Sequence, residues 1–167
     1  AEIGAGFDGP TIRQSERAHL YEQAITDLSE QGLTYKCWCT RAEIAAATTA
    51  PHGPAAGRYP GTCRDLTTTQ KAERERSGRA ASLRVHTESA QVTVEDRYHG
   101  QVSVVLDDPV IRRADGTHAY HLATVIDDEA QGVSEVVRGE DLLHASATQM
   151  WLIDRLSLRQ PAYAHVP

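Results

Sequence analysis

Three cysteines carry the clearest chemistry in this chain: Cys37 and Cys39 flank Trp38, and Cys63 closes the phrase Tyr59-Pro60-Gly61-Thr62-Cys63. Thiolates are soft donors suited to Zn²⁺, which takes four ligands in a tetrahedron. Three sulfurs leave one position, for which Tyr59 is the nearest oxygen donor and His52 the nearest nitrogen donor. A phenol binds only once ionised, and its free pKa of about 10 requires the cation itself to draw the proton off. On donor chemistry alone His52 is the better fourth ligand. The alternative is three buried thiols packed as small hydrophobes, because C-x-C is a weaker metal signal than paired CxxC knuckles.

A second candidate is Arg138, which follows an apolar run and precedes Gly139 where a strand hands over to a helix. Ligands of open α/β sheets bind at the carboxyl ends of strands, and a guanidinium there is shaped for bidentate capture of a carboxylate or phosphate. An internal ion pair with Glu140 or Asp141 is the competing reading. Tyr120 is expected mid-strand, either in the core or pointing into the same cleft. Asp127 and Asp128, adjacent on that strand, would face opposite ways, so one of them capping a turn is expected rather than a joint metal site. None of the histidines shows ligand spacing compatible with the expected elements, and none is assigned a catalytic role. G-x-S-x-G, Walker, H-E-x-x-H and G-x-G-x-x-G motifs do not occur.

The elements that must position these groups are legible in outline. Thr11 to Gln31 has Ala18, Tyr21, Ala24, Ile25 and Leu28 at helical spacing, closed by Gly32. Leu33 to Cys37 reads as a strand delivering the first thiols, and Thr40 caps a short helix over Arg41 to Ala47. Asp8-Gly9-Pro10 reads as a turn, and Thr49 to Tyr59, with two prolines and two glycines, as loop. Leu66 to Ser77 predicts a polar helix whose Lys71, Arg74 and Arg76 lie on a solvated face, RNA contact being the minority reading. Ala81–His86, Gln91–Asp96, Val102–Leu106 and Val110–Arg113 read as four strands. His118–Ile126 and Val133–Val137 read as two more, before an amphipathic helix from Leu142 to Leu158. Strands feeding helices indicate an α/β fold.

Composition sets the bounds. With 167 residues, 40% of them hydrophobic and 24% charged, the chain is long enough for one core and ordinary for a globular protein. The net charge of −6 gives no overall attraction to nucleic acid, so any RNA contact must be local. No apolar run approaches the roughly 18 residues of a membrane span. The odd cysteine count favours a reducing cytoplasm over a disulfide framework. The chain opens without Met in a Gly-rich turn and stops on His165-Val166-Pro167, so it is expected to be part of a longer polypeptide.

Taken together, the phrases resemble a known family. Gln14-Ser15-Glu16-Arg17, Cys37-Trp38-Cys39-Thr40, Tyr59-Pro60-Gly61-Thr62-Cys63-Arg64 and Ala119-Tyr120-His121-Leu122-Ala123 stand in order. Asp127-Asp128, Gln131-Gly132-Val133, Val137-Arg138-Gly139-Glu140-Asp141-Leu142-Leu143 and Tyr163-Ala164-His165-Val166-Pro167 follow them. This ordered set is similar to the class I glutamyl-tRNA synthetase superfamily, and more narrowly to its branch without an anticodon-binding domain. The resemblance implies a partial Rossmann-like class I aminoacyl-tRNA synthetase catalytic domain, α/β in class, with an inserted zinc-binding subdomain. It divides the chain into a helical part of the catalytic core (1–32), the zinc-binding insertion (33–78) and a strand-rich acceptor-type region returning to the core (79–167). It implies activation of L-glutamate by ATP with Mg²⁺, then transfer of the glutamyl group to queuosine in the anticodon loop of tRNA(Asp). Charging of tRNA(Glu), or a non-catalytic zinc-stabilised RNA-binding module, are the alternatives. By position, Cys37, Cys39, Tyr59 and Cys63 match the family's Zn²⁺ ligands, reversing the preference for His52, while Tyr120 and Arg138 match its glutamate-binding pair. The family's two ATP-signature segments fall outside the chain, which is therefore expected to be inactive alone, monomeric and cytoplasmic. Pro109 and the segment Ser146-Ala147-Thr148-Gln149 depart from the family pattern.

Overall fold

The computed structural model describes residues 9, 11–48 and 59–167. The turn expected at residues 8–10, Gly9 apart, and residues 49–58 of the expected loop, His52 included, lie outside them. After one 3-10 turn at Gln14–Glu16, helix α1 (Ala18–Glu30) buries Tyr21, Ala24, Ile25 and Leu28, a single stripe at helical period. It stops at Gly32, whose φ of 72° lies in the left-handed region. There the Gly32 N–H reaches the Ser29 carbonyl at 2.9 Å and the Leu33 N–H reaches the Leu28 carbonyl at 3.0 Å. A residue without Cβ accepts that closure at least cost.

Strand β1 (Thr34–Cys37) pairs antiparallel with β2 (Ser82–Val85), and β2 pairs antiparallel with β5 (Val110–Arg112), giving a three-stranded sheet. Helix α2 (Arg41–Thr48) starts on a reciprocal cap. Thr40 Oγ1 accepts from the Glu43 N–H at 3.1 Å, and Glu43 Oε2 accepts from the Thr40 N–H at 2.6 Å. Helix α3 (Thr68–Arg76), capped in the same way by Thr67 and Gln70, buries no residue at all. Its basic side chains therefore lie on a solvated face, as their pattern suggested.

The second sheet has four strands in the order β4-β3-β7-β6. Strands β3 (Gln91–Asp96) and β4 (Gly100–Val105) form an antiparallel hairpin, and β7 (Ala162–Val166) runs parallel to both β3 and β6 (Glu135–Gly139). Helix α5 (Leu143–Arg155) makes the crossover from β6 to β7 and packs on β3. The four strands expected between residues 81 and 113 are all present. Strand β7 was not expected, because Ala-Tyr-Ala-His-Val has neither a continuous apolar run nor β-branched enrichment.

One expectation fails outright: the run from His118 is not a strand. Residues Tyr120–Gln131 form helix α4, which buries Leu122, Ala123, Val125 and Asp127 against α1 and α5. It closes at Gly132 (φ 67°), with the Val133 N–H on the Asp128 carbonyl at 2.9 Å, the same terminus that ends α1. The main core joins α1, α4, α5 and both sheets, with Leu28, Ile111, Leu122 and Leu152 fully buried. A smaller cluster holds Cys37, Trp38, Tyr59 and Cys63.

Candidate functional site

Arg138 lies near the carboxyl end of β6, in register with His165 of β7. Its Nε–H donates to His165 Nε2 at 3.0 Å, and Nη2 donates to Ser146 Oγ at 2.6 Å and Gln149 Oε1 at 2.7 Å. Nη1 donates to the Tyr120 phenol oxygen at 3.2 Å. Every one of these partners is neutral. The ion pair with Glu140 or Asp141 that the sequence allowed does not form: Glu140 turns instead to His99, with 3.3 Å between Oε2 and Nε2. The guanidinium thus keeps its charge unmatched by direct contact with any carboxylate among the described residues.

Tyr120 is the first residue of α4 rather than a mid-strand residue, and it is 48% exposed. Helix geometry turns it toward Arg138. Its oxygen accepts from Nη1 and its own hydroxyl hydrogen is left to donate, at an exposed contact where a ligand could reach both groups. Behind them the residues are protected. Burial pushes the Tyr163 phenol up to about 12, with Arg138 opposing and Asp128 and Tyr120 adding. Burial, with Arg138 adding to it, lowers the His121 imidazole below its ordinary value, and His121 Nδ1 is buried without a partner. Burial raises the Asp128 carboxyl; Arg138 opposes this and Asp127 reinforces it.

Asp127 and Asp128 do not share a strand, and neither caps a turn. Asp127 is buried within α4, where its oxygens take the Arg17 Nε–H at 2.6 Å, the Tyr21 hydroxyl at 2.9 Å and the Gln14 amide at 2.9 Å. It ties α4 to α1. Burial, then the hydrogen bond to Asp127, pushes the Tyr21 phenol up to about 12.

His165, given no role by its sequence context, is fully buried at the centre of a polar chain. Its Nδ1 is 2.7 Å from Asp96 Oδ2, which also accepts the His165 backbone N–H at 3.0 Å. Ser146 and Gln149, also unforeseen as pocket residues, come from α5 and are fully or almost fully buried. Their segment stands out in the sequence only for lacking the arginine of the family phrase, a departure that bears on neither of these two acceptors.

The thiols form the second site. The sulfurs of Cys37, Cys39 and Cys63 all lie within 4.8 Å of one another, with Cys39 and Cys63 3.5 Å apart and none joined in a disulfide. A tetrahedral Zn²⁺ with bonds of about 2.3 Å places its sulfurs about 3.8 Å apart, so the cluster has the dimensions of such a site. The Tyr59 oxygen is 3.4 Å from the Cys37 sulfur and accepts the Cys63 N–H at 2.8 Å. Burial and the hydrogen bond to Cys37 push the Tyr59 phenol up, and burial, followed by Cys63, pushes the Cys39 thiol up to about 12. A bare cluster therefore holds protons that a cation would displace.

Asp108 braces this cluster to the first sheet. It is fully buried at φ 46° and accepts from Tyr35 Oη at 2.7 Å, Arg64 Nε at 2.7 Å and the Thr87 N–H at 2.9 Å. Burial would raise its carboxyl, but the Thr87, Tyr35 and Arg64 hydrogen bonds outweigh it and hold the carboxyl below the usual range. Arg84 donates to the Asp108 carbonyl at 2.7 Å and lies 3.8 Å over the Tyr59 ring. Pro109, beside it, gives its carbonyl to the Val85 N–H at 3.1 Å, so the departure there still supports sheet pairing.

Residues 3–167 match the family described as tRNA synthetases class I (E and Q), catalytic domain. The chain belongs to this family. Among its relatives, the glutamyl-Q tRNA(Asp) synthetase of Nocardia farcinica is 54% identical over 165 residues, which are 99% of this chain and 53% of that protein. The enzyme of the same name from Geobacter sulfurreducens is 44% identical, covering 99% of this chain and 52% of its own. The glutamate tRNA ligase of Elizabethkingia meningosepticum, solved with its amino acid, superposes with a TM-score of 0.77 at 26% identity, covering 95% of this chain and 34% of that one. This class I synthetase catalytic domain thus spans about half the length of the curated relatives it matches. Among its described residues, no helix is long and apolar enough to cross a membrane.

Proposed function

We propose that the protein containing this chain activates L-glutamate with ATP and Mg²⁺ and transfers the glutamyl group to queuosine in tRNA(Asp). The observation that carries this reading is the Arg138–Tyr120 pair: a guanidinium near the carboxyl end of β6 that touches no carboxylate among the described residues, hydrogen-bonded at 3.2 Å to a phenol that is 48% exposed. Arg138 would bind the side-chain carboxylate of glutamate. A charge-assisted hydrogen bond of this kind contributes about 1.5–3 kcal/mol, and glutamine offers only a neutral amide in its place. The tRNA specificity rests on the relatives' names and on identities of up to 54%.

In this reading the chain supplies alignment rather than a nucleophile. Arg138 and Tyr120 hold the side chain of the amino acid, so that its α-carboxylate is delivered to the nucleotide in a fixed pose, and the gain is orientational. Cys37, Cys39, Tyr59 and Cys63 are the proposed ligands of one Zn²⁺, which would pin the segment after β1 into the small core around Trp38. Residues 1–32, 33–78 and 79–167 are then core, zinc-bearing insertion and returning core, joined by the β1–β2 pairing across the second boundary.

The test is charging by the full-length protein with radiolabelled glutamate. Queuosine-containing tRNA(Asp) should be charged, whereas queuosine-free tRNA(Asp) and tRNA(Glu) should not. Charging of tRNA(Glu) instead would move the protein to the tRNA(Glu) branch. Absence of glutamate-dependent ATP–pyrophosphate exchange under all these conditions would refute the enzymatic reading.

A further inference from the structure

Asp96 and His165 both have side chains with no solvent exposure, and they lie on the buried side of Arg138, opposite the exposed Tyr120 contact. The arginine N–H is a donor only, so His165 Nε2, 3.0 Å from Arg138 Nε, must be the acceptor. The imidazole proton is then on Nδ1, where Asp96 Oδ2 receives it at 2.7 Å. The other carboxylate oxygen is fixed by the turn between β3 and β4. Oδ1 accepts the Tyr98 N–H at 3.0 Å and the His99 N–H at 3.1 Å, and lies 3.1 Å from His99 Nδ1. The carboxylate therefore has no other pose available, and the tautomer of His165 follows from it.

We propose that Asp96 and His165 are positioning residues for Arg138, and that the tautomer Asp96 imposes sets the affinity of the pocket for its carboxylate ligand. With Nε tied to His165 and Nη2 tied to Ser146 and Gln149, three N–H groups of the fork point inward. The guanidinium plane is thereby fixed, and Nη1 is the nitrogen left to face Tyr120 and the open side. Without an acceptor at Nε2 only the Nη2 contacts to Ser146 and Gln149 hold that plane on its buried side, and the two donors converge less tightly. This inference rests on the glutamate reading for the identity of the ligand, but not for the brace itself.

The discriminating change is Asp96→Asn in the full-length protein. An amide can donate to Nδ1, which favours the other tautomer and sets an Nε2–H against the Nε–H of Arg138. Two readouts apply: the ¹⁵N–¹⁵N coupling across the hydrogen bond between Arg138 Nε and His165 Nε2, and calorimetric titration with glutamate. The coupling should be present in the unchanged protein and lost in Asp96→Asn. Glutamate affinity should fall about 10- to 100-fold, the loss of one charge-assisted hydrogen bond, while the KM for ATP holds. Adding His165→Gln to Asp96→Asn offers an amide oxygen to Arg138 whatever stands at position 96, and should restore most of the affinity. Mere structural damage would not be repaired by a second buried substitution. Asp96→Asn with unaltered coupling, or with unaltered glutamate affinity, overturns the proposal. If the unchanged protein binds no glutamate, the ligand reading fails instead, and the coupling alone decides the brace: its loss in Asp96→Asn upholds it and its persistence refutes it.

Discussion

Tyr59→Phe isolates the contribution of a single oxygen to the thiol cluster. The ring, and with it the stacking of Arg84 at 3.8 Å, is retained. Two consequences separate by their pH dependence. The first is constant: the buried Cys63 N–H loses the acceptor it had at 2.8 Å, a cost of about 1–3 kcal/mol. The second is a slope. Burial and the hydrogen bond to Cys37 push the phenol up, so before metal binds it is fully protonated at neutral pH. Coordination through the phenolate must release that proton, and phenylalanine has none to release. The ratio of Zn²⁺ affinities, unchanged protein over variant, therefore rises about tenfold per pH unit, equivalent to about 1.4 kcal/mol. The sign is fixed, because raising the pH favours the form that has lost the proton. Between pH 6.0 and 7.5 the ratio should grow about 30-fold, roughly 2 kcal/mol. Burial raises the Cys37 thiol and the Tyr59 hydroxyl holds it lower, so losing that hydroxyl raises the thiol in the variant and offsets part of this slope wherever Cys37 is already ionised in the unchanged protein. Competition against a chromogenic chelator at several pH values gives the ratio, and calorimetry in buffers of different ionisation enthalpy should count one extra proton released by the unchanged protein. A ratio that is flat with pH would refute phenolate ligation and leave Tyr59 a packing residue.

Cys39→Ala should reduce bound Zn²⁺ to near zero and raise proteolysis within residues 33–65; a fully metallated variant would remove Cys39 from the site. Arg138→Lys keeps the charge but cannot span His165, Tyr120, Ser146 and Gln149 at once, so glutamate binding should weaken about tenfold or more, the loss of one charge-assisted hydrogen bond; unchanged affinity by calorimetry would show that charge alone suffices. Asp127→Ala leaves Arg17 and the Tyr21 hydroxyl facing a vacated buried position, and urea unfolding should show a loss of about 3–5 kcal/mol; a loss under 1 kcal/mol would count against the α1–α4 tie. Asp108 has a folded carboxyl held below its unfolded value, so its stabilisation is complete above the ordinary carboxylate range and is lost as pH falls through the depressed folded value. Asp108→Asn should therefore flatten the acid limb of the stability–pH curve, and an unchanged limb would assign that limb to other groups.

What the sequence disclosed depended on whether a side chain's role was local. The stripe of α1, its glycine terminus, the cap of α2 and the four strands from 81 to 113 are written in neighbouring residues and were read correctly. Helix α4 is hard to tell from a strand because His118 to Ile126 mixes aromatic, β-branched and apolar residues in a run too short to separate period 2 from period 3.6. The signal that could have arbitrated was Gly132, which ends α4 as Gly32 ends α1. The same ambiguity gives Tyr120 a strand position and the two aspartates opposite faces, where the helix gives neither. The three sulfurs gather as their spacing suggested. By contrast, Ser146, Gln149 and His165 meet Arg138 only through tertiary structure, 8, 11 and 27 residues away along the chain, Asp96 reaches it only by way of His165, and no local pattern marks any of them.

Strand β7 is the keystone of the larger sheet, since β3 and β6 touch it but not each other. A nascent chain that has not yet extruded Ala162–Val166 from the ribosome can form the β3–β4 hairpin, yet leaves β6 without its neighbour. Arg138 would then be exposed without His165 opposite it. The cluster around Arg138 thus cannot form until β7 has been synthesised, and a ribosome stalled short of this strand would display a chain that is partly folded, with its guanidinium unbraced.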